Sequence, residues 1–227
     1  MPESGSERRN SRALEAPLIA DPKARAAAEA RNGFRQYDAG IKTVQTALDR
    51  GAFKLRLSLI LALHREALAG ISSYAGNFRP AGVKIEGSTH EPVGAHLVPE
   101  LIEEMCDYVN EHWETSTPLH LAAYIMWRLN WIHPFADGNG RTSRILSYVI
   151  LSIRAGAVPP GTPTIPDQIV DNRAPYFEAL DAADAAWRNG KIDVSKMEEL
   201  LGALLARQLA GFYQTAGGKM PDTGNGL

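Results

Sequence analysis

Apolar residues recur at helical spacing along most of this chain, which predicts an almost entirely helical protein. The stretch 22–50 predicts one or two helices, with Gly33 and Gly40 as weak points. Segment 52–70 is apolar around much of its circumference and predicts a central buried helix. Further helices are predicted over 98–113, 117–132, 144–156, 174–190 and 193–213. Thr117 has the side chain of an N-cap, and the proline after it suits a first helical position.

One region departs from this helical pattern. In the segment 82–95, Val83 and Ile85 alternate with polar residues before Gly87 and Pro92. Alternation bounded by turn residues predicts a small β-hairpin, either a plain surface hairpin or a flap over a site. The predicted fold class is therefore all-α with one small β-hairpin flap.

Composition narrows the picture further. With 227 residues, of which 44% are hydrophobic, the chain is long enough for one sizeable core, so a single domain is expected. A net charge of −2 argues against a surface built for nucleic acid or an anionic membrane. Cys106 is the single cysteine, which excludes an internal disulfide and favours a buried, inert thiol. Residues 1–10 and the Gly-rich stretch 213–227 are predicted to be disordered.

The apolar runs of the sequence indicate where the protein is located and whether it enters a membrane. The first ten residues lack the apolar core of a secretory signal. The longest apolar run is too short to cross a bilayer and carries charge. The expectation is a cytoplasmic protein that binds neither membrane nor nucleic acid.

The segment HPFADGNGRTSR, residues 133–144, joins two predicted buried helices. A helix starting near Asn139 would point free N–H groups and the positive end of its dipole at a ligand. Gly138 and Gly140 would let that ligand approach the backbone closely. Arg141 and Arg144 share one face of the helix, and two fixed positive charges suit a chain of phosphates.

The acid and the histidine of this segment complete a possible reaction site. Asp137 is placed to hold a divalent cation, since magnesium commonly takes one or two carboxylates plus phosphate oxygens. A neutral His133 could take a proton from an incoming hydroxyl. Each residue alone has a simpler interpretation as a cap, a turn or a surface charge. Their coincidence at one helix start favours a site that grips phosphate, holds a metal and contains a base.

These twelve residues match every specified position of H-x-F-x-[DE]-G-N-G-R-x-x-R, and the chain thereby resembles the Fic (filamentation induced by cAMP) family. The resemblance spans about residues 11–210 and implies transfer of AMP from ATP to a hydroxyl of a target protein. It implies that His133 is the base and that Asp137 holds Mg²⁺. By the same resemblance, Gly138, Asn139 and Gly140 form the anion hole, Arg141 grips the β-phosphate and Arg144 takes the γ-phosphate.

The resemblance extends outside this loop. It implies that Val83, Lys84 and Ile85 of the flap align a target segment by strand pairing. It places Asn172 and Tyr176 against the adenine base, although Tyr176 could equally be a core residue. Phe135 would anchor the loop in the core.

The N-terminal sequence SRALEA is similar to the inhibitory helix of self-inhibited Fic proteins, [ST]-x-x-x-E-[GN]. The resemblance assigns the helix to residues 11–16, with Ser11 and Glu15 as its motif residues and Glu15 paired with Arg144 to block the γ-phosphate. Ala16 departs from the pattern, so leaky inhibition is expected. Without the resemblance, Glu15 would be interpreted as a solvated side chain.

The predicted function is therefore a protein adenylyltransferase that uses ATP and Mg²⁺ on a Ser, Thr or Tyr hydroxyl of a protein, auto-modification included. Three alternatives stay open: removal of AMP, transfer of another phosphate-containing group, and a catalytically silent peptide-binding module. The scattered histidines do not form a zinc motif. The sequence does not identify the target or the oligomeric state.

Overall fold

The computed structural model describes residues 9–12 and 18–217, and these residues form eight α-helices and two short strands. The strands are β1 (Asn10–Arg12) and β2 (Lys84–Glu86). The helices are α1 (Pro22–Arg50), α2 (Leu57–Leu68), α3 (Val98–Glu111), α4 (Pro118–Ile132), α5 (Asn139–Ala155), α6 (Ile165–Asp171), α7 (Ala174–Arg188) and α8 (Ser195–Thr215).

The centre of the fold is α4, which packs against α5, α3, α7 and α8. Thr117 caps it by accepting a hydrogen bond from the His120 N–H at 3.0 Å, and Pro118 occupies its first turn, as predicted. The prediction that segment 52–70 forms the central helix was wrong. Although α2 buries Ile60, Leu63 and Leu68, its Ser58 and Arg65 face solvent, so only one side of the helix joins the core.

The longest helix, α1, runs unbroken through the two glycines that the sequence marks as weak points. Gly40 lies at a close contact between the two helices, because a Cβ there would lie 3.1 Å from Ile145 and 3.2 Å from Val149 of α5. The missing side chain lets the backbones of α1 and α5 approach. This contact places the N-terminal half of α1 beside the start of α5.

The single cysteine of the chain was predicted to be a buried, inert thiol. Cys106 is buried on α3, and burial raises the pKa of its thiol to about 12, which agrees with an inert thiol.

Helix α6 was missed, because residues 158–166 were assigned to a loop. The signal was present: Thr164 and Asp167 form a reciprocal capping box at the helix start.

The flap strand β2 pairs antiparallel with β1, with Ser11 opposite Ile85. An all-helical fold with one small β element in the flap is thus confirmed, but the partner of the strand comes from the N-terminus and not from within 82–95. The predicted helix over 11–16 was wrong at its beginning, because Ser11 and Arg12 are extended and hydrogen-bond to the edge of β2. Residues 13–17, which include Glu15, lie outside the described residues.

At the other end of the chain, α8 continues to Thr215, two residues past the predicted start of the tail. Residues 218–227 lie outside the described part of the chain. Across the residues that are described, every helix is too short or too polar to cross a bilayer. The cytoplasmic location stays a prediction.

Candidate active site

His133 ends α4 in the left-handed conformation, with φ 53° and ψ 57°. A non-glycine residue seldom adopts this conformation, and it recurs at functional sites where surrounding contacts hold it. Two hydrogen bonds hold it here: the backbone N–H of His133 donates to the Leu129 carbonyl at 2.9 Å, and Arg79 Nε donates to the His133 carbonyl at 2.8 Å. The turn directs the imidazole into a cavity.

The hydrogen bonds of the imidazole fix its tautomer. Nδ1 lies 3.1 Å from the Asn130 carbonyl, which can only accept, so Nδ1 carries the proton. Nε2 is then an acceptor, and the Ser11 hydroxyl lies 2.8 Å from it. Burial lowers the pKa of His133 from 6.5 to about 4, so the ring is neutral at pH 7. A neutral imidazole facing a hydroxyl has the geometry of a general base.

The loop after His133 is held by its own residues and by His64 of α2. The Asn139 side chain accepts from the Phe135 N–H and donates to the Phe135 carbonyl, both at 2.9 Å. Phe135 is fully buried and stacks on His64, with ring centroids 3.7 Å apart. His64 Nδ1 accepts from the Gly76 N–H at 3.0 Å, so its Nε2 donates to the Asp137 carbonyl at 3.0 Å. His64 was missed as a supporting residue because nothing in its local sequence links it to the loop.

The two glycines of the loop each permit a close approach. Gly138 has φ +80°, and a Cβ there would lie 2.5 Å from Leu68 Cδ2. A Cβ on Gly140 would lie 3.0 Å from Arg144 Nη1. As predicted, α5 begins at Asn139, so its first N–H groups are free to face a ligand.

The charged residues of the loop converge on the start of α5. Asp137 Oδ2 accepts from Arg141 Nη2 at 3.0 Å and from Arg25 Nη2 at 3.2 Å. Arg144 packs beside Tyr176, and burial lowers the pKa of its guanidinium. Within residues 9–12 and 18–217, no carboxylate lies at ion-pair distance from Arg144. Arg144 lines the cavity beside the start of α5. Arg25 was not predicted, because it reaches the site from α1, 112 positions earlier than Asp137.

The fit of Mg²⁺ can be judged from Asp137. In the described part of the chain, no group of three or more His, Cys, Asp or Glu side chains forms a protein cage for a metal. Asp137 instead offers one partly exposed carboxylate, held by two arginines. One carboxylate completed by phosphate oxygens and water is a common protein environment for Mg²⁺. The residues therefore fit a cation that arrives with a nucleotide.

These side chains line a cavity of about 780 Å³, within the range of ligand pockets. The cavity brings together ten residues that the sequence singled out, namely Ser11, Ile85, His133, Asp137, Gly138, Asn139, Gly140, Arg141, Arg144 and Tyr176. Tyr176 is buried and accepts a hydrogen bond from Asn130 Nδ2 at 2.9 Å. Asn172 is exposed after α6, and its neighbours Val170 and Arg173 line the cavity in its place.

The flap is attached to the loop through a residue that the sequence analysis missed. Arg79 is only 3% exposed, and its guanidinium donates to the carbonyls of His133, Ala81 and Val93. Of the three predicted flap residues, Val83 is buried, Lys84 is exposed and Ile85 lines the cavity. Since Arg79 bonds to both elements, it fixes the flap relative to His133.

Comparison with known proteins adds to this geometry. A model of the Fic/DOC family matches residues 54–151, which include the whole loop 133–144. The chain belongs to this family. The protein adenylyltransferase Fic of Drosophila willistoni is 33% identical to it over 175 residues, which are 75% of this chain and 32% of that protein. The protein adenylyltransferase fic-1 of Caenorhabditis elegans is 35% identical over 127 residues, 55% of this chain and 23% of that one.

The Fic fold is also found in a Fic domain containing signaling protein from Bacteroides thetaiotaomicron. It is 20% identical, with a TM-score of 0.66, and the match covers 84% of this chain and 74% of that one. The present Fic chain spans about a third or less of the length of the curated relatives that it matches. The matched range contains the signature, His64 and Arg79, whereas Ser11, Asn172 and Tyr176 lie outside it.

Proposed function

We propose that this Fic chain transfers AMP from ATP to a Ser, Thr or Tyr hydroxyl of a target protein. The observation that carries the proposal is the neutral His133, whose Nε2 accepts from a hydroxyl at the edge of a cavity rich in phosphate-binding groups. A base for the acceptor and a grip for the donor thus lie in one cavity. The names of the relatives, protein adenylyltransferase, support the same reaction.

In the proposed reaction, the target oxygen attacks the α-phosphorus of ATP while His133 Nε2 takes the hydroxyl proton. The bond from the α-phosphorus to the oxygen bridging to the β-phosphate breaks, and pyrophosphate leaves with the bonding electrons. The N–H groups at the start of α5 and the side chains of Arg141 and Arg144 hold the phosphates. Tyr176, which lines the cavity, is proposed to contact the adenine base, whereas the exposed Asn172 is not.

Asp137 would hold Mg²⁺, which would neutralise charge on the phosphates. Arg25 and Arg141, which donate to the Asp137 carboxylate, would then donate to phosphate oxygens instead. Asp137→Ala should weaken ATP binding and make transfer insensitive to Mg²⁺ concentration. Asp171→Ala changes an exposed acid at the end of α6 and is the matched control. Normal Mg²⁺ dependence of Asp137→Ala would place the cation elsewhere.

The flap would align the target. The pairing of β1 with β2 shows that the edge of β2 can accept another strand. A target segment paired in the same way would bring its hydroxyl to His133, with Val83, Lys84 and Ile85 beside it.

Glu15 is proposed to restrain the enzyme by pairing with Arg144. Support comes from the sequence motif and from the absence of any other carboxylate partner of Arg144 among residues 9–12 and 18–217. Ala16 in the motif predicts that the restraint is incomplete.

Transfer of label from ATP tests the proposed reaction. The purified chain is incubated with a protein lysate and with ATP labelled at either the α- or the γ-phosphate. Label from the α-phosphate should enter protein and label from the γ-phosphate should not. Transfer of the γ-label would indicate a phosphotransferase. If neither the wild type nor Glu15→Gly transfers label, the chain is a peptide-binding module without catalytic activity. Release of free AMP from proteins modified beforehand would indicate hydrolytic removal of AMP.

A further inference from the structure

The N-terminal strand presents one hydroxyl to the catalytic base. Ser11 Oγ lies 2.8 Å from His133 Nε2 and 3.4 Å from Asn139 Nδ2, at the first residue of α5. Since Nδ1 of His133 carries the ring proton, the Ser11 hydroxyl is the donor in the first contact. Ser11 therefore lies where the hydroxyl of an acceptor would have to lie.

Two separate attachments hold this segment in place. The backbone of Asn10–Arg12 pairs with β2, in the register that sets Ser11 opposite Ile85. Two residues before Ser11, the Arg9 guanidinium donates to both carboxylate oxygens of Asp181, at 2.9 and 2.7 Å. The same guanidinium lies 4.5 Å from the ring centroid of Phe177. The position of Ser11 thus results from the specific contacts of its own strand and of Arg9.

We infer that Ser11 is an intramolecular acceptor, so that the chain adenylylates its own N-terminal strand before the flap is free for another protein. The inference rests on the proposed function, since it uses the same base and the same donor. The unmodified strand occupies the flap edge that a target would need. Modification therefore changes the group that competes with targets for β2.

The reaction is balanced with ATP as the only co-reactant. A lone pair of Ser11 Oγ forms a bond to the α-phosphorus, and the hydroxyl proton passes to His133 Nε2. The bond between the α-phosphorus and its bridging oxygen breaks, and pyrophosphate takes the electron pair. The products are a phosphodiester between Ser11 and AMP, and pyrophosphate.

The sequence around Ser11 permits a direct assay. A protease that cuts after glutamate releases residues 8–15, in which Ser11 is the only hydroxyl side chain. In Glu15→Gly the corresponding peptide is 8–29, and Ser11 is again its only hydroxyl. Both forms of the whole chain are incubated with Mg²⁺ and ATP, digested and analysed by mass spectrometry. Use of both forms prevents inhibition by Glu15 from hiding the reaction.

We expect one adenylyl group on this peptide, none in Ser11→Ala, and recovery in Ser11→Thr, which restores a hydroxyl. The first-order rate constant should not change with protein concentration, because both reactants are in one molecule. Mixing His133→Ala, which keeps the acceptor, with Ser11→Ala, which keeps the base, should leave the peptide unmodified. Labelling of the His133→Ala chain at the wild-type rate would show a reaction between chains and overturn the inference.

Parallel reactions with lysate proteins separate this inference from the proposed function. If lysate proteins receive AMP while residues 8–15 and 8–29 stay unmodified, Ser11 only occludes the flap, and the inference is wrong while the function stands. If neither receives AMP from either form of the chain, both are wrong.

Discussion

The loop 133–144 and the strand β1 meet at the Ser11 hydroxyl, but they are held in place in different ways. Most contacts that shape the loop lie within it or come from the helices directly beside it, such as the two bonds between Asn139 and Phe135. The strand is held by residues far away in sequence: Arg9 by Asp181, and Ser11 by Ile85 and His133. The loop is fixed mainly by local contacts, with further bonds from distant residues such as Arg79 and His64, whereas the strand is fixed by surfaces that exist only after folding.

This difference has a consequence for function. The proposed reaction needs a base that is held rigidly, and His133 is held by a backbone turn, by Arg79 and by the Asn130 carbonyl. An occupant of the flap must be able to leave if external targets are to enter. Attachment by a few edge hydrogen bonds and one partly exposed ion pair suits an occupant that exchanges.

His133→Ala tests the rigid side of this comparison and should have the largest effect. Transfer of AMP should fall by about 10²–10⁴-fold, the usual cost of losing a general base, while ATP affinity changes little. Transfer rates and ATP binding by calorimetry measure the two quantities. His96→Ala changes an exposed histidine outside the cavity and should match the wild type. Undiminished transfer by His133→Ala would remove the imidazole from the mechanism.

Glu15→Gly tests the N-terminal side. If the carboxylate blocks Arg144, its removal should raise ATP affinity and transfer by about 5–150-fold, which corresponds to a coupling of about 1–3 kcal/mol. Because Ala16 weakens the motif, the wild type should already show measurable transfer. Arg144→Ala in the Glu15→Gly background should abolish the gain. Equal rates in wild type and Glu15→Gly would mean that the likeness of SRALEA to the inhibitory motif is accidental.

The same contrast explains what the sequence could predict. Helical periodicity predicted most of the helices, and the residues of the loop predicted that α5 starts within it. Both signals could be used because they are local in sequence. Ser11 was predicted to be helical from a short motif, but the free edge of β2, 73 positions or more away, pairs with it as a strand. Arg79, Arg25 and His64 were missed for the same reason: their partners are brought to them by the packing of α1, α2 and the flap.

Arg79 connects the two regions, so its loss should affect both. Arg79→Met would leave the buried carbonyl of His133 without its side-chain donor, and one such loss costs about 1–3 kcal/mol of unfolding free energy. Urea unfolding measures this cost, and AMP transfer should fall in parallel because the base is less well held. Arg207→Met on the exposed face of α8 is the control and should stay within about 0.5 kcal/mol. A stable but inactive Arg79→Met would mean that Arg79 positions His133 without supporting the fold.

The pH dependence of transfer tests the burial of His133. Because its pKa is lowered from 6.5 to about 4, the ring remains the neutral base down to pH values near 4. A base with the ordinary pKa of 6.5 would be neutral in only about a tenth of molecules at pH 5.5, so the rate would fall about tenfold from pH 7.5. We expect kcat/KM to change less than twofold over this interval, as about a twofold change is the resolution of such assays. A midpoint at pH 6.5 would show that His133 of the free enzyme is in contact with water rather than buried.

The smallest expected effect comes from the ion pair that holds β1. Arg9 donates to both oxygens of Asp181, but half of the Asp181 side chain is exposed, so their coupling should be about 0.2–1 kcal/mol. Weaker attachment of β1 should increase amide exchange in Lys84–Glu86 by up to about fivefold, because β1 covers their edge. Hydrogen exchange of Arg9→Ala, Asp181→Asn and the double variant measures this coupling as a cycle. If the effects of the two substitutions simply add, the pair does not hold the strand, and the contact of Arg9 with Phe177 does.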